Sequence, residues 1–361
     1  MTTDTSPTPS APTGSASHPS RQSEATAEAR QRSTDAPAPE TIPQWLHRSS
    51  ALRYTVILAF LLVFTFLSVK APGFLTLSNF VNILVNNFTI LAIVSLGMTL
   101  VLLTGGIDLS VGTAMDVGSL LFISLISAHQ NFLVAICGGL AGALATGAFN
   151  AFLIGGLRIA PFLATLGTLF IGESVQQLAT NGGQPIYLIT GTLAPAFIYI
   201  GHGSFFGVPF PLSLAVGLTV IYYLLTERTS FGRNTVALGA NPSVAWYSGA
   251  RVRYTSALVY LLSAVTCGVA GIILSATIKA YVPLSGNAYL LDAIGATFIG
   301  TTLHSEGRPS VIGTTLGVLL LSIVTNGLLL IGWNFYWQQV GTGVLIFFVL
   351  ATSFLGRRFR R

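Results

Sequence analysis

Four carboxylic acids stand inside or at the edge of long apolar runs: Asp108, Asp116, Glu173 and Asp292. An ionisable side chain in hydrocarbon costs about 2.5–3.5 kcal/mol on insertion scales, so such groups face a protein interior or a water-filled path. Two kinds of chemistry are open to them, a polar pathway for a solute or a relay for protons. For Asp116 and Asp292 structural hydrogen bonding is the plain alternative. Asp108 reads as a helix cap, because it precedes Leu109 at a helix start. No Lys or Arg sits mid-span to pair with any of the four.

Two further stretches stand out. In Thr104-Gly105-Gly106-Ile107-Asp108-Leu109-Ser110-Val111-Gly112, paired glycines break one apolar run, and Asp108 or Ser110 can cap the next. The string predicts a tight turn of the chain at the cytoplasmic edge. The second stretch lies in the largest loop after the connection of the fifth and sixth apolar runs, residues 227–253. There Asn241 can cap a short helix with Pro242 at its first position, and Gly249 can end it. A helix of two turns is marginal in water, so it either docks on a partner or rests on its own bundle.

Other chemistries are absent from the sequence. No G-x-x-x-x-G-K-[ST] phosphate loop occurs, so the chain has no means of hydrolysing ATP itself. There is no G-x-S-x-G or H-E-x-x-H, and His47, His129, His202 and His304 fall in loops or beside the first apolar run, which argues against an intramembrane enzyme. Cys137 and Cys267 sit in apolar runs without metal or disulfide spacing, which predicts packing roles for both.

Composition says what must position these residues. Only 8% of the 361 residues are charged and 52% are hydrophobic, whereas soluble domains are about a quarter charged. Lipid is therefore the solvent of most of the chain. The net charge of +6 forms no continuous basic patch, which argues against nucleic acid. The expected fold is all-α, a polytopic bundle of about ten transmembrane helices, because the runs are continuously apolar and not alternating. Spans are predicted near Leu52–Val69, Phe88–Leu103, Leu109–Ser127, Phe132–Ile154, Pro161–Leu178, Leu212–Thr226, Tyr254–Thr277, Leu290–Leu303, Val311–Ile331 and Phe335–Phe354.

With a cytoplasmic N-terminus this count puts every arginine on the cytoplasmic side, from Arg158, Arg228, Arg233, Arg251, Arg253 and Arg308 to the C-terminal Arg361. Lys70 and Lys279 fall outside. That is the positive-inside pattern of an inner-membrane protein with both termini in the cytoplasm. Residues 1–45, rich in Ser, Thr, Pro and Ala, read as a disordered cytoplasmic tail, and residues 46–361 as the membrane domain. The tail has no apolar segment of a secretory signal, and its acids (Asp4, Glu24, Glu28, Asp35, Glu40) do not suit an organelle transit peptide.

A shift of 176 residues places Asp116 on Asp292, Asn150 on Asn326, Gly156 on Gly332 and Gly167 on Gly343. It carries spans three to five onto spans eight to ten, a displacement of five spans, an odd number, so the copies would cross the membrane in opposite senses. That is a 5+5 inverted repeat of the transporter kind. Four identities in a Gly-rich chain also arise by chance.

The two marked stretches, taken together, resemble the ribose-type branch of bacterial ABC transporter permeases, which also serves xylose, arabinose and galactose importers. The string at 104–112 matches that family's most recognisable motif. So do Phe231-Gly-Arg with Ala237-Leu-Gly-Ala-Asn241-Pro and later Ser248-Gly249. Arg158-Ile-Ala-Pro161-Phe with Thr165-Leu-Gly167-Thr, and Leu291-Asp292-Ala293-Ile294, follow in the same order from about residue 75 to 350.

The resemblance implies a homodimer of ten-helix subunits, two ABC ATPase subunits that hold ATP and Mg, and a periplasmic sugar-binding protein. It implies a permease for a monosaccharide or related polyol, with no cofactor in this chain. Asp108, Ser110, Asp116, Asn150 and Asp292 are then the candidate substrate pathway. Arg233, Asn241, Ala245, Trp246, Ser248 and Gly249 are the candidate ATPase contact, with Ala245 expected in the docking cleft. The chain departs from the family pattern at Ser243, where an acid is usual, at Trp246, where Arg is common, at Leu290, usually Glu, and at Thr301, usually Gly. A proton-coupled secondary transporter using Asp116, Glu173 and Asp292 is the alternative.

Overall fold

The computed structural model describes residues 48–188, 193–304 and 306–358. The predicted tail, residues 1–45, lies outside the described residues. The first helices are α1 (Arg48–Lys70), α2 (Leu77–Asn82), α3 (Thr89–Leu103), α4 (Val111–Ser127), α5 (Phe132–Ala151) and α6 (Pro161–Ala179). After them come α7 (Pro195–His202), α8 (Phe210–Arg228), α9 (Ser230–Ala240), α10 (Pro242–Tyr247), α11 (Val252–Ile278), α12 (Asn287–Leu303), α13 (Val311–Leu330) and α14 (Phe335–Arg358).

Every predicted span is covered by a helix. By length and hydropathy, five stretches reach membrane-crossing size among the described residues: Leu77–Leu103, Phe132–Gly156, Phe210–Arg228, Val252–Ile278 and Val311–Leu330. Two of these contain wide π-helical turns, Ile83–Phe88 between α2 and α3, and Phe152–Gly156 after α5. The second span starts eleven residues before its predicted limit, because Asn79, Asn82, Asn86 and Asn87 depress its hydropathy while Thr76 caps it through the Asn79 amide.

All fifteen residues of α3 are buried, so this helix is apolar all round and forms the axis of the bundle. Crossings around it use small residues, as helices without a hydrophobic drive between them require. Gly97 lies against Ser263 and Cys267, Gly118 against Gly139 and Gly268, and Gly300 against the backbone of Gly313. Cys267 is buried at one of these crossings, as expected, but Cys137 is exposed on the bundle surface and packs no core. Strands are confined to two-residue ladders in the connections: β1 (Ile186–Tyr187) pairs antiparallel with β4 (Ala280–Tyr281), and β2 (Ser204–Phe205) with β3 (Val208–Pro209).

The arginine-bearing connections gather at one end. Thr104, Arg158, Trp246 and Arg253 border one cleft, and Arg308 reaches Glu227 at the end of α8 at 3.3 Å. The same guanidinium hydrogen-bonds exposed Glu306 at 2.7 Å and, by that bond first and its charge second, holds the Glu306 carboxyl below the ordinary range. The 27 residues of α11 carry the chain from Arg251 and Arg253 to Lys279 at the opposite end, about 40 Å away.

Candidate functional site

The turn at 104–112 is not at the edge of the bundle. Gly105 still lies beside Gly239 of α9, but three residues later Asp108 is buried and meets Ser263 of α11. Ser263 stands eleven residues into that helix, about 16 Å of rise. The chain therefore re-enters deeply before α4 begins. Asp108 is not a cap of α4, as the sequence suggested. Its Oδ1 accepts from the Ser110 amide at 2.8 Å and the Ser110 hydroxyl at 2.6 Å, closing a turn two residues wide. Ser110 occupies the cap position, but its hydroxyl is committed to Asp108 and makes no capping bond.

From Ser110 the network runs outward to two helices. Asn150 of α5 donates to the Ser110 hydroxyl at 2.6 Å and accepts from Thr168 of α6 at 2.6 Å. Thr165 accepts from the Leu109 amide at 3.1 Å and donates to the Ile107 carbonyl at 3.3 Å. Of the sequence candidates, Asp108, Ser110 and Asn150 are thus brought together. Thr165, Thr168 and Ser263 complete the network and were not singled out for it.

Asp116, one and a half turns into α4, belongs to a second network. Its Oδ1 accepts from Ser285 Oγ at 2.9 Å and from the Gly286 amide at 2.8 Å. Gln176 of α6 accepts from Tyr281 Oη at 2.9 Å and from the Leu284 amide at 3.0 Å, and Glu173 accepts from Asn287 at 2.7 Å. Three side chains of α4 and α6 thereby strap down the segment 281–287, in which Leu284 holds a left-handed φ of 62°. Asp116 Oδ2, Thr113 Oγ1 and Gln176 Nε2 are buried there without a partner among the described residues.

The strap brings two helix starts together. A Cβ on Gly112 would stand 2.8 Å from the Gly286 carbonyl, and one on Gly286 would stand 2.3 Å from the Gly112 oxygen. Helices α4 and α12 therefore begin against each other inside the bundle, each with the positive end of its dipole at the junction.

Asp292 joins neither network. It borders a separate cleft of about 220 Å³ with Asn86, Asn87, Thr325, Gln338 and Gln339. Leu290, where the resembled family carries Glu, is buried in the apolar core and leaves Asp292 as the lone acid of its cleft.

The loop 227–253 is largely helical. Thr229 caps α9, a helix the sequence reading left as loop, through the Gly232 amide at 3.3 Å. Asn241 caps α10 by accepting from the Ser243 and Val244 amides at 3.0 and 3.1 Å, and Gly249 follows its end at a φ of 83°. Ser248 donates to the Val244 carbonyl at 2.9 Å, and exposed Arg233 donates to Ser230 at 2.9 Å. Clefts of about 700 and 610 Å³ border α10. Ala245 is 3% exposed at the wall of the larger cleft, whereas Trp246 at 59% and Tyr247 at 87% are exposed.

Residues 79–350 match the protein family described as "Branched-chain amino acid transport system / permease component", and the chain belongs to that family. Among its relatives, the ribose import permease protein of Bacillus subtilis (strain 168) is 35% identical over 77% of this chain and 85% of its own length. The ribose import permease protein of Escherichia coli (strain K12) is 33% identical over 84% of this chain and 92% of its own. The D-allose transport system permease protein of the same strain is 30% identical over 82% and 90%. No solved structure matches the chain.

Proposed function

We propose that this chain is the membrane permease subunit of an ATP-driven importer that moves a monosaccharide or related polyol across the bacterial inner membrane. The names of its relatives as sugar import permeases support the substrate class, and the chain's own lack of a phosphate-binding loop supports ATP and Mg on a separate subunit. A homodimer with two such ATPases, fed by a periplasmic binding protein, is the assembly this reading requires. Ten spans with both termini in the cytoplasm agree with the gathering of the arginine loops at one end. The inverted repeat is supported by α4 and α12, whose bounds, Val111–Ser127 and Asn287–Leu303, differ by the same 176 residues that relate Asp116 to Asp292.

The observation that carries the reading is α10. It is a capped helix of six residues on the arginine-rich face, with two aromatic side chains exposed between two clefts. Exposed aromatic residues anchor interfaces, and a helix this short needs packing to persist. The ATPase contact is therefore Trp246 and Tyr247, with exposed Arg233 of α9 a further candidate on the same connection, and Ala245 seats the helix. Replacing Trp246 and Tyr247 together by Ala leaves every internal hydrogen bond of α10 in place. The double variant is expected to insert normally, lose co-purification with the ATPase and lose sugar uptake. Retention of both association and uptake would move the contact elsewhere on this face.

A further inference from the structure

The cleft at Asp292 has a lining unlike the rest of the bundle. Four carboxamides, Asn86, Asn87, Gln338 and Gln339, meet one carboxylic acid and the hydroxyl of Thr325 in a space of about 220 Å³. Its walls include two aromatic rings, Tyr289 and Phe335. Polar side chains in a membrane bundle are expensive and mark solute paths. Half of these six are also uncommitted: among the described residues Asp292, Asn87 and Gln339 make no hydrogen bond or ion pair within the chain. The backbone is adapted as well, because Asn86 and Asn87 lie in the wide π-helical turn Ile83–Phe88, a local irregularity common at functional sites.

We propose that this cleft binds a neutral polyhydroxylated ligand, a single sugar ring. A carboxamide offers both a donor and an acceptor, as does each sugar hydroxyl, and a carboxyl adds a further acceptor. The aromatic rings suit the apolar face of the ring. No Lys, Arg or His lines the cleft among the described residues, so a phosphate or carboxylate finds no counter-charge and meets Asp292 instead. No group of three His, Cys, Asp or Glu stands together among the described residues to hold a metal. The volume corresponds to about seven liquid waters, below the roughly 300–1,000 Å³ of drug-sized sites; it fits one ring and excludes a disaccharide.

The position is also informative. Thr325 stands fourteen residues along α13 from its arginine-side start, about 21 Å of rise, and Gln338 and Gln339 are in the first turn of α14. The cleft thus opens in the half of the bundle away from the arginine loops. Under the orientation proposed above, on which the inference rests, that is the periplasmic half, where a binding protein would deliver its sugar.

The test is thiol protection in the full chain, reconstituted with its ATPase and binding protein. Ala288, exposed at the mouth of the cleft, is replaced by Cys in a Cys137→Ala background; buried Cys267 is silent. Thr325→Cys is a second reporter should the first fail to assemble. Labelling by a small water-soluble thiol reagent is timed with D-ribose, D-allose or D-galactose and with D-glucuronate. At least one neutral sugar is expected to slow labelling, and glucuronate is not. Asn87→Ala and Gln339→Ala should each raise the half-protecting sugar concentration about fivefold, the worth of one hydrogen bond. Protection by none of the sugars overturns the site, including in protein that imports one of them, where the permease reading would stand. Protection without uptake of any of them keeps the site and removes the importer reading.

Discussion

Replacing Gly286 by Ala tests the junction of the two helix starts directly. The new Cβ would lie 2.3 Å from the Gly112 carbonyl oxygen and 2.8 Å from its carbon. Both obstacles are backbone, so no rotamer change relieves the clash and the helices must separate. Overpacking of this kind costs about 1–3 kcal/mol, and a rigid obstacle belongs at the upper end. Separation also stretches the 2.8 Å bond from the Gly286 amide to Asp116, worth about 1 kcal/mol more. A total near 3–4 kcal/mol should lower the melting temperature of the detergent-solubilised protein by several degrees, read by loss of the monodisperse peak after heating. Gly217→Ala in α8, where an added Cβ meets nothing within 4 Å, is the control and should be neutral or stabilising. A Gly286→Ala protein that melts with wild type would refute the contact between α4 and α12.

Gln176→Leu should destabilise by about 2–6 kcal/mol, because it orphans the buried Tyr281 hydroxyl and the Leu284 amide at about 1–3 kcal/mol each; a change under about 1 kcal/mol in the same melting assay would mean the strap is not held there. For topology, reporter fusions after Lys70 and after Arg361 are expected to read opposite sides of the membrane, and identical readings would sink the ten-span orientation.

The helices were legible because a chain in lipid must satisfy its backbone within each segment, so every crossing leaves a long apolar run. The exceptions have physical causes. The start of the second span was hidden by its four asparagines, and two of them, Asn86 and Asn87, turn out to line the Asp292 cleft. Helix α9 was invisible because Gly232, Arg233 and Asn234 look like loop until packing and the Thr229 cap are known. The caps at Asn241 and Pro242 were readable, since capping is local. The depth of the Asp108 turn was not, because it depends on where α11 passes. Thr165 and Thr168 stood in a matched motif, but their place in the network was hidden for a similar reason. A threonine in an apolar helix can spend its hydroxyl on the carbonyl of its own preceding turn, as both do here at 2.9 and 3.1 Å, and only the fold reveals the second partner.

The contact between Gly239 and the end of α3 carries a mechanical consequence. A Cβ on Gly239 would fall 2.0 Å from the Leu103 carbonyl oxygen, so α9 abuts the axial helix backbone to backbone, with no compressible side chain between them. Asn241, which caps α10, is two residues further on, and Asp108 is five residues beyond Leu103. Displacement of α10 at the surface therefore meets a stiff backbone contact at the end of α3 and not a slack loop, because close-packed interiors have little compliance. A methyl group at position 239 would act as a spacer in that linkage, changing its length before it changes any chemistry.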